Sequence, residues 1–219
     1  MSKHLRNDLQ HLKKELLFIG MTVEEAVEKS MRAFRKGDVD TARKIIEDDE
    51  VINAKEVEIE EECLKLLALY QPVAKDLRFL ATVIKINNDL ERMGDISAKI
   101  SKRTISMAKE LPIELPDQLK EMIQVTKTMV KDSLDAFFRQ DASDSRQICK
   151  RDVIVDKLNK EIFRLVREKM QADPNNIDQY LDIVTATKSI ERIADLATNI
   201  AQDVVYMVEG EIIRHKFLD

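Results

Sequence analysis

The 219-residue chain has no tryptophan, four glycines, four prolines, two cysteines and three histidines. So few glycines and prolines leave little room for chain reversals, which argues for long helices. Cys63 and Cys149 belong to no C-x-x-C pair and sit at apolar or boundary positions of helical patterns. They read as core thiols of a reducing compartment, not as a disulfide. His4, His11 and His215 all lie at the chain ends. That placement removes the Glu-x-x-His ligands of a di-iron bundle, a mid-helix phosphohistidine and any Ser-His-Asp arrangement. No glycine-rich phosphate loop occurs. With a formal net charge of −5 there is no basic excess to neutralise a nucleic-acid backbone. No apolar run approaches the roughly 18 to 20 residues that cross a bilayer, and charges run through the first twenty positions. The expectation is a cytoplasmic, non-enzymatic protein that reaches a membrane only through a partner.

What the chain does have is 44% hydrophobic and 35% charged residues, arranged in heptad-like stripes. Leu5, Leu9, Leu12, Leu16, Ile19, Val23, Ala26, Ser30 and Ala33 alternate steps of four and three, the spacing of a helix that packs along a neighbour at a shallow angle. The first helix is expected to begin near Ser2. Gly37 followed by Asp38 then gives a stop and a new start. A second helix is expected to run to Gln71-Pro72, and a third from about Val73 to Lys109. Two prolines close together in Leu111-Pro-Ile-Glu-Leu-Pro116 mark the joint between two units, residues 1–110 and 111–219. Pro116 suits the first turn of a fourth helix ending near Arg139. A fifth is expected from Ser143 to about Gln171, and a sixth, capped by Asp173-Pro174, to about Glu209.

The two units are copies. Ser30 to Phe34 matches Ser133 to Phe137, Asp38 matches Asp141, and Asp49 and Asn53 match Asp152 and Asp156, all offset by 103. K-I-N-N-D-L-E-R-M-G-D-I-S-A-K-I (85–100) returns as T-A-T-K-S-I-E-R-I-A-D-L-A-T-N-I with an offset of 100. A three-residue deletion therefore falls between the second and third helices of the second copy. The architecture expected is all-α, two tandem three-helix bundles related by a pseudo-twofold.

Within each copy Glu91 and Asp95, or Glu191 and Asp195, stand at i and i+4, one turn apart on one helical face. Each pair begins one residue past the apolar stripe, roughly 100° around the helix, so the carboxylates should be accessible. If the second helix lies antiparallel beside the third, Asp49 with Asn53, and Asp152 with Asp156, would face them. Oxygen-rich sites of this kind suit hard cations such as magnesium, calcium, manganese or ferric iron. Asn199 and Asp203 would extend the second site where the first has Lys99 and Arg103. The plainer reading makes Arg92 and Arg192 partners in solvated salt bridges. Gly94 is read as a point of close backbone approach.

The motifs Q-P-V-A-K-D-L-R (Gln71 to Arg78), K-I-N-N-D-L-E-R-M-G-D (Lys85 to Asp95), I-E-R-I-A-D-L-A-T-N-I (Ile190 to Ile200) and V-V-Y-M-V-E-G-E-I-I-R-H (Val204 to His215) closely resemble the PhoU family, over essentially the whole chain. The resemblance implies a cytoplasmic negative regulator of phosphate uptake and of the phosphate-starvation response. Its implied partners are the ATPase subunit of the phosphate ABC transporter, a PAS-containing sensor histidine kinase and a second copy in a homodimer. It also implies metal ions, with iron and zinc joining the hard cations as candidates, on Glu91, Asp95, Asp49 and Asn53 and on Glu191, Asp195, Asp152 and Asp156. Asn53 stands where the family pattern has an acid, and Ile96 where many relatives have histidine, which lowers the charge of the first site. The alternatives are a paralogous helical adaptor not tied to the main transporter, acidic faces that dock on basic partners without metal, and a carboxylate-bridged metal oxidase.

Overall fold

The structure, a computed structural model, describes residues 3–110 and 112–214. Ser2, Leu111 and His215, named above, lie outside them. Six long helices carry the chain: α1 (Lys3–Lys36), α2 (Val39–Tyr70), α3 (Ala74–Met107), α4 (Asp117–Arg139), α5 (Ala142–Ala172) and α6 (Ile177–Glu209). The expected ends hold to within a few residues, with two local differences. Pro116 is the cap of α4 and not its first helical residue, its backbone extended at φ −59° and ψ 138°. Between Asp173 and α6 a 3-10 turn, Pro174–Asn176, takes the place of a direct cap. Pro174 has no backbone N–H to leave unpaired, which suits that first tight turn.

The caps repeat with the sequence. Asp38 accepts from the Thr41 backbone N–H at 3.0 Å, and Asp141 accepts from those of Ser143 and Asp144 at 2.9 and 3.0 Å. Each satisfies orphan donors of the helix it opens. Just before these caps the chain turns through a left-handed residue, Gly37 at φ 67° in one half and Gln140 at φ 56° in the other. The Asp38 and Asp141 amides then close the turn onto the Ala33 and Ala136 carbonyls. A side chain in that region costs about 1 kcal/mol. Gln140→Gly is therefore expected to raise the free energy of unfolding by about 0.5–1 kcal/mol. Urea denaturation checks it, and a lowered midpoint would contradict it.

Each half is a three-helix bundle in which every helix touches the other two, and the halves meet chiefly through α3 and α6. Those two run antiparallel: Arg103 reaches Asp182 at 3.1 Å, and Lys85 reaches Asp203 at 3.1 Å. Between these ion pairs Ile86, Leu90, Met93 and Ile100 of α3 and Ile183, Ile190, Ile193, Ala197 and Ile200 of α6 are wholly buried. On the flank Phe79 of α3 stacks on Phe137 of α4 at 6.1 Å between centroids, and Gly20 of α1 lies against the Leu134 side chain. The apolar stripes thus merge into one hydrophobic core running through both halves. Cys63 and Cys149 are free and buried. Desolvation pushes their thiols up to about 12 and about 11, which leaves them unreactive packing groups.

Candidate functional site

The short connection at 71–73 folds α3 back along α2, and the register is fixed by two contacts. Buried Asn87 donates to the Glu56 carbonyl at 2.8 Å, and Gly94 sits where an added Cβ would come within 3.1 Å of Asp49 Oδ1 and of Ile52 Cδ1. Gly94 is thus the close-approach point its sequence context suggests, and Ala194 holds the equivalent place in α6. In the second half the Cys149 thiol points to the Thr198 carbonyl at 3.9 Å, which sets α5 antiparallel to α6 in the same way. Both acid pairs of each half therefore lie on facing helices.

The second cluster is the more demanding one electrostatically. Asp152, Asp156 and Glu191 are half-buried and Asp195 is exposed. Desolvation first, then the charges of Asp152, Glu191 and Asp156, raise Asp195 to about 6. Asp152 is raised by desolvation and by Asp156, although the Thr198 hydroxyl favours its charged form. Even so, Asp152 Oδ1 and Thr198 Oγ1 are both buried without a partner of hydrogen-bonding geometry. Arg192 is exposed, and among the described residues no cation forms an ion pair with any of the four acids. Four carboxylates on facing helices, one with an orphaned buried oxygen, are the ligand type that hard cations take.

The first cluster fits less well. Asp49, Glu91 and Asp95 are half-buried while Asn53 is exposed. Desolvation and the neighbouring acids raise Asp49 and Glu91, and Asp49 Oδ1 is again buried and unpartnered. Lys99 already neutralises Asp95 at 3.0 Å, on a side chain that is 45% exposed. The cation in ion-pair contact with the first cluster is thus Lys99, one turn on, while Arg92 acts on Glu91 only through its charge. Among the described residues no three histidine, cysteine, aspartate or glutamate side chains stand converged to metal-binding geometry. A bound cation would have to draw these carboxylates inward.

One expectation is corrected. Asp203 does not extend the acidic face of α6, because it is buried in the α3–α6 interface with Lys85 at 3.1 Å and Arg214 at 3.0 Å. Eight residues beyond Asp195 is roughly 80° further around a 3.6-residue helix, enough to leave the groove and face the neighbour. Asn199 is exposed. Thr198 and the Glu56–Asn87 bond went unread in the sequence, and their only signal there was a small polar residue inside an apolar stripe. Asp89 also went unread. It lies under Asp203 in the same interface, and desolvation and the Asp203 charge push it up to about 6.

The fold and its twin grooves define a class of all-helical, tandemly repeated proteins that display acidic faces. The family model described as PhoU domain matches residues 16–104 and again 119–204, and the chain belongs to the PhoU family. It is 35% identical over 214 residues to the phosphate-specific transport system accessory protein PhoU homolog of Aquifex aeolicus, covering 98% of this chain and 97% of that one. It is 31% identical to the phosphate-specific transport system accessory protein PhoU of Escherichia coli over 219 residues, 98% of this chain and 91% of the other. It resembles the crystal structure of PhoU from Pseudomonas aeruginosa with a TM-score of 0.90 at 35% identity, over 94% of this chain and 99% of that one. The phosphate transport system regulatory protein PhoU from Streptococcus pneumoniae is similar at a TM-score of 0.88 and 30% identity, over 95% and 98% of the two chains.

Proposed function

We propose that this protein is a regulator of phosphate homeostasis that acts by binding and not by catalysis. On this reading it restrains phosphate uptake and the starvation response by contacting the ATPase subunit of the phosphate transporter and a PAS-containing sensor histidine kinase, as a cytoplasmic homodimer. What carries the reading is similarity along the whole chain, in both repeats, to proteins named as accessory and regulatory components of phosphate transport. The absence of any helix long and apolar enough to cross a membrane, among the described residues, is in keeping with it. The test is to delete the gene and follow uptake of labelled phosphate. Uptake that stays high in phosphate-rich medium supports the reading, and unchanged uptake and starvation response would remove it.

The grooves add a physical means of regulation. Asp152, Asp156, Glu191 and Asp195 would hold a metal ion in the second half, and Asp49, Asn53, Glu91 and Asp95 would do so more weakly in the first. Such an ion supplies positive charge that cancels the carboxylate repulsion and fixes the α5–α6 face in one shape for a partner to read. Glu191→Ala with Asp195→Ala is expected to lose most of the bound metal by elemental analysis while keeping its helicity. Chelator should lower the stability of the wild type by about 3 kcal/mol relative to protein with metal a hundredfold above its dissociation constant. Equal metal content in variant and wild type would leave the grooves as metal-free acidic docking faces. Salt-sensitive, chelator-indifferent capture of the transporter ATPase would then be expected.

A further inference from the structure

A crevice of about 420 Å³ opens at the other end of the molecule's first half, where the first turns of α1 and α3 meet the α4–α5 turn and the end of α6. Its base is Leu9, Phe79 and Met207, all buried. Its rim carries Arg6 and Lys13 from α1 and Lys75 from the first turn of α3. Among the described residues none of these three cations has a carboxylate within ion-pair distance. Half-buried Lys13 instead stands 5.1 Å from the centre of the Phe79 ring. Elsewhere on this acidic chain many cations are engaged, as Lys55, Lys65, Lys99 and Lys127 are with nearby glutamates or aspartates. Asp76 is the one acid in the lining, and the Gln10 and Gln140 amides complete it.

The pseudo-twofold supplies a comparison. Gly37, Met107 and Gln179 line the equivalent crevice in the positions of Gln140, Met207 and Phe79. There the wall is the linker at Pro112, Ile113 and Leu115, in the place held here by the first turns of α1. The mate therefore has no counterpart of Arg6 or Lys13. The mate carries two exposed cations of its own, Arg35 and Lys36 at the end of α1, beside one acid, Glu110, so what distinguishes this crevice is the pair Arg6 and Lys13 set beside Phe79 and not positive charge as such. The first turn of α3 adds to it, since Val73 gives that helix no side-chain cap and the positive end of its dipole faces the same opening.

We propose that this crevice binds a small phosphorylated metabolite, with Arg6, Lys13 and Lys75 holding the phosphate oxygens. Guanidinium and ammonium groups not already held in ion pairs make charge-assisted hydrogen bonds to phosphate, with Asp76 the one carboxylate opposing them. The volume lies within the ordinary range for small-ligand sites, large enough for a nucleotide and more than large enough for free phosphate. The site stands apart from the acidic grooves and does not depend on metal in them.

The test uses the full chain with chelator present, so that no ion in the grooves can bridge to a phosphate. Titration calorimetry is run separately with ATP and with inorganic phosphate. Saturable binding of one or both at one site per chain is expected. Lys13→Glu with Lys75→Glu should weaken it at least about tenfold, and Arg6→Gln, at an exposed position, should shift it in the same direction. Lys36→Glu, in the mate crevice, should leave it unchanged, and all variants should keep the wild-type melting profile. Binding of phosphate alone would identify a sensor of the free ion, and binding of ATP alone a nucleotide site. No saturable binding of either probe by the wild type, or equal affinity in the Lys13/Lys75 variant, would overturn the proposal whether or not the grooves hold metal.

Discussion

Ile190→Ala is expected to lower the free energy of unfolding by about 3 kcal/mol, with the whole molecule losing structure in a single transition. Ile190 is fully buried on α6, one residue before Glu191. It belongs to the seam that packs α6 against α3 and against its own bundle. Removing its three outer carbons forfeits their transfer free energy and leaves a cavity between long helices that are held along their length and collapse little. The core is continuous across both halves, so the loss is shared by both and not confined to one repeat. Val153→Ala, on the exposed surface of α5, should change stability by no more than about 0.5 kcal/mol. Calorimetry measures both. Two separated transitions for Ile190→Ala, with the first half melting unchanged, would show that the halves fold independently despite their common core.

Asp89→Asn, in chelator-treated protein, should stabilise at about pH 7.5 and have little effect at about pH 3.5. Asp89 is buried between α3 and α6 with Asp203 beside it, and it is held at about 6 against an ordinary 3.8. Its folded value is raised, so its favourable contribution is complete below about 3.8 and is lost as pH climbs through about 6. Two units correspond to about 3 kcal/mol working against the fold at neutral pH. That value already includes the relief given by Arg92, Arg214 and Lys85, but the asparagine amide needs partners of its own. A gain of about 2 kcal/mol at pH 7.5 is therefore expected. Urea midpoints at the two pH values decide it. An equal change at both would mean that Asp89 packs as a neutral group and does not sense the Asp203 charge.

The helical stripes, the duplicated caps at Asp38 and Asp141 and the acid pairs at i and i+4 were legible because each depends on spacing within a single helix. Glu91 and Asp95 stand one turn apart in any α-helix with this sequence, whatever surrounds it. Gly94 was legible for a related reason, since a glycine deep in a helix costs about 1 kcal/mol against alanine and needs a neighbour to justify it. Asp203 was misread because, two turns beyond Asp195, a small angular drift decides between groove and interface. Its partners Lys85 and Arg214 come from α3 and from the chain beyond α6. The sequence shows Lys99 only as the residue in the place of Asn199, whereas packing makes it the counterion of Asp95.

By itself the sequence determined six amphipathic helices in two copies, each with paired carboxylates beside and not within its apolar stripe, because periodicity and capping are local chemistry. The tertiary structure alone decided that α3 and α6 join the copies through one core and which carboxylates share a groove without a counterion. It also decided that three unpaired cations gather over Leu9, Phe79 and Met207. These depend on distances between residues far apart in the chain, which only packing sets.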